Sequence, residues 1–172
     1  MKQLTVLLLL VLCFYQEACK EKQSPTQSIT PSDGPTIPLN EQVQETIFRH
    51  QIGQSPDVSE IKFLAVIPSN DPYAQRTDPS DDLVNRIRTD YPNVTKYSQG
   101  HYGSLQGTIC FLDSNSTESL LFTIWPLQWL SNTKVQTTAE MFANEHAWTR
   151  NKYYIQIQNN SLVIDSIKQA DF

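Results

Sequence analysis

Beyond Val94 the chain alternates apolar and polar residues with a period of two, and polar turn residues separate the runs. Successive side chains of a strand point to opposite faces, so this pattern demands a sheet with one dry side. Residues 107–112 and 120–130 flank the polar turn 113–118. After Ser131, Asn132 and Thr133, one long run carries Val135, Thr137, Ala139, Met141, Ala143 and Ala147 on one parity. Gln136, Thr138, Glu140, Phe142, Asn144 and His146 take the other, as far as Trp148. The last two runs, 153–158 and 161–167, are joined by Asn159 and Asn160, which tolerate positive φ and predict a hairpin.

The preceding stretch has helical grammar. Over residues 40–53, Asn40 is placed to cap and Glu41 and Glu45 suit the positive end, while Val43, Ile47 and His50 share a face and Gly53 closes the helix. Residues 61–67 read as a strand. A second helix is expected with Asp78 as cap, Pro79 in its first position, and Asp81 and Asp82 in its first turn. Leu83 and Ile87 share its face, and Tyr91-Pro92 is its stop. The expected fold class is therefore α+β, with two N-terminal helices under a curved antiparallel β-meander, a half-shell or cone. Over residues 40–172 this element order and the tyrosine-rich closing hairpin resemble the cystatin-like and nuclear-transport-factor-2-like (NTF2-like) superfamily. The resemblance implies a cone used as a small-molecule pocket, an enzyme site or a dimer surface, and does not choose among them.

At the N-terminus Lys2 precedes the apolar run 4–15, shorter than the roughly 20 residues that cross about 30 Å of hydrocarbon. A positive start, a short apolar stretch and a small residue predict an export signal over residues 1–18. Ala18-Cys19 resembles the end of the bacterial lipobox, although Gln16 and Glu17 stand where that motif has an aliphatic and a small residue. The resemblance implies acylation of Cys19 and attachment to a cell-envelope membrane. Lys20, rather than Asp, after the cysteine is compatible with the outer membrane. Without acylation the protein would be secreted. Residues 19–39, with four prolines among serines and threonines, form the expected tether to a single domain over 40–172.

The formal net charge is −5, and no run of lysines and arginines is present to neutralise phosphates, so nucleic acid is not an expected partner. No cofactor motif and no metal-ligand spacing occur: capping and helix-dipole compensation account for Asp78, Asp81 and Asp82. With Cys13 removed and Cys19 acylated, Cys110 remains as a lone buried thiol.

Two functional readings follow. The first is an envelope binding or interaction module for a protein or small-molecule ligand, with Trp125, Trp129, Trp148 and Tyr153, next to Tyr154, as its contact residues. The second is a small enzyme of hydrolase or isomerase type, pairing a histidine with a carboxylate in an NTF2-like pocket. His50, His101, His146, Asp113 and Asp165 are the available groups, and His101, between Gly100 and Gly103 in an expected loop, is the catalytic candidate. A filled cone with aromatics on the open sheet face favours the first reading; an enclosed histidine–carboxylate pocket favours the second.

Overall fold

The computed structural model describes residues 27–28, 37–55, 60–71 and 73–170; the leader 1–18, Cys19 and the rest of the linker lie outside them. In chain order the elements are β1 (Gln27–Ser28), α1 (Leu39–Gln54), β2 (Lys62–Val66), α2 (Asp81–Arg88) and β3 (Val94–Lys96). A 3₁₀ turn (Tyr97–Gln99) then leads to β4 (His101–Leu105), β5 (Thr108–Leu112), β6 (Glu118–Ile124) and β7 (Gln128–Ser131). The chain closes with β8 (Lys134–Asn144), β9 (Ala147–Gln158) and β10 (Ser161–Gln169).

All ten strands join one sheet in the order β1-β10-β9-β8-β5-β6-β2-β3, with β4 paired to β5, β7 to β8, and β8 also to β6. The sheet is mixed. β2 runs parallel to both β3 and β6, while the remaining pairings are antiparallel. This overturns the expected fold class. The described residues do not form a helical pair under an antiparallel meander: they form mostly a large mixed sheet, in which the strand between the two helices is itself paired in parallel with β3 and β6. The physical reason lies in β2, where Lys62, Phe63, Leu64 and Ala65 are all buried. A strand buried on both faces belongs in a sheet interior, where parallel neighbours are accommodated through crossovers.

Both helices are capped differently from the sequence expectation. Ser80 caps α2, its Oγ accepting from the Leu83 amide at 3.2 Å, while the Asp78 carboxylate accepts from the Ser98 amide and hydroxyl at 2.8 and 2.6 Å. Asn40 lies inside α1 and its Oδ1 accepts from Trp129 Nε1 at 3.0 Å.

The core fills the space between helices and sheet. Val43, Ile47, Phe48 and Ile52 of α1 and Leu83, Val84 and Ile87 of α2 pack with Leu64, Phe122, Ile124, Val135, Ala139, Ile155 and Leu162. Each such large side chain stabilises by about 1.5–3 kcal/mol through burial. On the opposite face Phe63, Ala65, Phe111 and Leu121 form a second, smaller cluster with Tyr97 and Phe142. The long alternating run does not reach Trp148 as one strand; it turns at Glu145 and His146 between β8 and β9. The last hairpin forms with Asn159 and Asn160 at φ 50° and 57°.

Candidate functional site

Register decides which side chains share the helix-free face. Thr123 of β6 stands opposite Glu140 of β8, and Glu140 opposite Arg150 of β9; one step along, Phe142 meets Trp148, and in the other direction Thr138 meets Lys152 and Gln136 meets Tyr154. On β10, Lys168 lies opposite Lys152 and Ser166 opposite Tyr154. With side chains alternating along β9, Trp148, Arg150, Lys152 and Tyr154 form a stripe about 20 Å long.

Glu140 organises the middle of this face. Its side chain is 4% exposed and accepts from Arg76 Nη2 at 3.0 Å, Arg150 Nε at 2.7 Å and Arg150 Nη2 at 2.6 Å. Arg76, from the segment between β2 and α2, also donates through Nε to Thr123 Oγ1 at 3.0 Å. One buried negative charge thus holds two guanidinium groups, each more than a quarter exposed. Arg150 lies between two indoles, 5.5 Å from the Trp125 ring and 5.2 Å from the Trp148 ring, a cation–π arrangement that fixes its direction. Farther along, Lys152 and Lys168 both lie over Tyr154, at 5.7 and 5.3 Å. Tyr102 of β4 packs edge-on against Phe111 and Phe142, and burial raises its hydroxyl pKa above the ordinary value.

In a chain of net charge −5, this face carries Arg76, Arg150, Lys152 and Lys168 against Glu140. Trp148 is 38% exposed at its end. Trp125 Nε1 is buried without a hydrogen-bond partner among the described residues.

The four aromatics singled out from sequence separate. Trp125 and Trp148 meet around Arg150, whereas Trp129 sits on β7 against Asn40. Tyr153 is buried on the helix side, its hydroxyl 3.2 Å from His50 Nδ1. Burial lowers the His50 pKa and raises that of Tyr153, leaving both neutral at pH 7.

The histidines and carboxylates do not converge. His101 is exposed on β4, a strand rather than the expected loop, and makes no side-chain hydrogen bond or ion pair among the described residues. The flanking glycines are there for close packing: a Cβ would fall 2.4 Å from Phe111 Cε1 at Gly100 and 2.4 Å from Leu112 Cδ1 at Gly103. The His146 ring lies 3.5 Å from its neighbour Glu145 in an exposed turn, and its amide donates to Asn144 Oδ1 at 3.0 Å. Asp113 is buried in its own turn, accepting from the Asn115 and Thr117 amides at 2.8 Å each, and Asp165 lies exposed at the irregularity in β10. Cys110 is buried and unpaired. No cluster of three His, Cys, Asp or Glu side chains able to hold a metal occurs among the described residues. A groove of about 660 Å³ lies at the β3 edge, lined in part by Phe63, Arg88, Gln99 and Asp113. Its polar groups serve the fold: Arg88 Nε donates to the Val94 carbonyl at 2.8 Å, and Asp113 is held in its turn.

Sequence reasoning did not find Arg76, Glu140, Arg150, Lys152 or Lys168. The signal was the period-two spacing of Trp148, Arg150, Lys152 and Tyr154, which becomes readable once the turn at Glu145 and His146 is recognised. No known family, characterised protein or solved structure matches this chain.

Proposed function

We propose that this protein is an exported, lipid-anchored binding module of the cell envelope, and that the helix-free sheet face engages an acidic surface of a partner protein. The observation that carries the reading is the Trp148-Arg150-Lys152-Tyr154 stripe, with Lys168 beside it, in an otherwise acidic chain. Tryptophan, tyrosine and arginine are the residues that dominate protein interfaces when they stand together in a rigid setting. Here the strand ladder and the buried Glu140 supply the rigidity, so little side-chain entropy remains to be lost on binding. Clustered cations on an acidic molecule also steer an acidic partner to one face.

Site-specific photocrosslinking tests the reading. A photoreactive residue at position 148 or 154 should trap a protein that the same residue at Asp82, exposed on α2, does not. The yield should fall as salt rises and collapse in the Lys152→Glu/Lys168→Glu variant. Equal trapping at all three positions, or trapping indifferent to charge reversal, would overturn the proposal.

A further inference from the structure

Two hairpins at one end of the sheet carry no acidic residue. The hairpin joining β7 to β8 and the hairpin joining β9 to β10 lie side by side there, tied by the Ile157 amide donating to the Thr133 carbonyl at 2.8 Å. Residues 125–139 and 151–164, which build both hairpins, contain no Asp or Glu, although the chain holds 18. The start of α1 joins the same end, because Trp129 Nε1 bonds Asn40, and brings Glu41, whose carboxylate accepts from Arg86 Nη2 at 3.2 Å. At this end Trp129 is 38% exposed and Leu130 57% exposed, and both line a shallow depression with Leu39, Ser131 and Asn132. Around them stand the hydrogen-bonding groups of Ser131, Asn132, Thr133, Asn159 and Asn160, and the exposed ammonium of Lys134.

The anchoring residue cannot be far away. Gln27 and Ser28 are strand-paired with Leu162 and Ser161, immediately after the β9–β10 turn. Only the seven residues 20–26 separate Cys19 from Gln27. Even fully extended, they let the Cys19 backbone lie at most about 29 Å from Gln27. The linker as a whole, read as unpaired chain up to Leu39, would have allowed roughly two and a half times that. Pairing of β1 therefore converts a long tether into a short one that is fixed beside the acid-free hairpins.

We infer that this end, with Trp129 and Leu130 at its centre, rests on the lipid surface, with the two side chains entering the headgroup region. The inference builds on acylation of Cys19. Tryptophan suits this depth, with an apolar ring and a polar edge, and leucine adds apolar area. With no acid in the hairpins and Glu41 paired with Arg86, little repulsion arises from anionic headgroups. Trp148 lies beside the β8–β9 turn, at the opposite end of the sheet, so docking by the tip leaves the Trp148–Arg150 end of the cationic face free for its partner, while Tyr154, in the row of Gln136 and Gln128, lies nearer the tip.

Depth-dependent fluorescence quenching tests the inference on the mature chain. Because Cys110 is buried, maleimide-headgroup lipid in phosphatidylethanolamine/phosphatidylglycerol vesicles attaches the chain through Cys19 whether or not the cell acylates it. With brominated acyl chains in those vesicles, tryptophan emission should be quenched. Trp129→Phe should remove most of that quenching, and Trp148→Phe should leave it in place. Leu130→Gln should reduce it at least twofold. Quenching that is absent, or unchanged by Trp129→Phe, would overturn lipid contact by the tip. Mass spectrometry of the protein purified from a bacterial envelope tests the anchor separately: lack of a diacylglyceryl adduct on Cys19 would end the anchoring reading without altering the quenching result.

Discussion

Replacing Glu140 with Gln removes the charge that holds two arginines while keeping the shape of the side chain. The wild-type carboxylate is 4% exposed and receives three charge-assisted bonds at 2.6–3.0 Å, two from Arg150 and one from Arg76. Breaking a fully buried ion pair costs about 3–5 kcal/mol because a charge is left stranded. Arg76 and Arg150 retain side-chain exposures of 29% and 28%, so both can regain part of their hydration. The glutamine carbonyl still accepts one bond, and the expected loss is about 2–3 kcal/mol. For a domain of this size that corresponds to a fall in Tm of roughly 6–12 °C. Urea unfolding followed by tryptophan emission measures the loss directly and also reports Trp125 and Trp148, whose shared cation would lose its carboxylate. A double-mutant cycle with Arg76→Met should return a coupling of at least about 1 kcal/mol. A Glu140→Gln variant within about 0.5 kcal/mol of wild type, or strict additivity with Arg76→Met, would refute the claim that Glu140 organises this face.

Three further outcomes are expected. Gly100→Ala places a Cβ 2.4 Å from Phe111 Cε1 and 2.9 Å from the Leu112 carbonyl oxygen, and should destabilise by about 1–3 kcal/mol in urea melts; a neutral result would show that β4 is not held against β5 as described. His50 has a pKa lowered by burial, so below its ordinary value near 6.5 the unfolded chain takes up a proton that the folded protein resists. Stability should therefore drop as pH falls from about 6.5 towards the lower folded-state value, and His50→Gln should flatten that drop; identical pH slopes for the two proteins would contradict the half-buried His50–Tyr153 contact. Trp125→Phe deletes a buried indole N–H that lacks an acceptor and should change chemical-denaturation stability by no more than about 1 kcal/mol, with stabilisation equally consistent; a loss above about 2 kcal/mol would mean that the N–H is bonded.

Local elements were largely legible in the sequence, because their causes are local. Period-two alternation marked the strand-rich part after Val94, though it passed over β4, ran β6 into β7 and ran β8 into β9; Asn159 and Asn160 located the last turn, and Asp81, Asp82 and the Tyr91-Pro92 stop located α2. What failed was pairing. Nothing local to Lys62–Val66 states that it lies between two parallel partners; only its burial on both faces does, and burial belongs to the assembled sheet. The same limit hid the site. Arg76 and Glu140 are 64 positions apart, and Trp125 and Arg150 are 25 apart. Their meeting depends on the registers of β6, β8 and β9. Gly100 and Gly103 made His101 resemble a flexible functional loop, yet the missing side chains make room for Phe111 and Leu112.

By itself, the sequence determined a strand-rich C-terminal part and one buried cysteine, since periodicity and short-range order specify such features. Tertiary structure alone decided that the sheet is mixed, that the space under the helices is filled, and that aromatics and cations gather on the opposite face. Those outcomes rest on contacts between residues far apart in the chain, where a shift of one residue in register would exchange the buried and exposed faces.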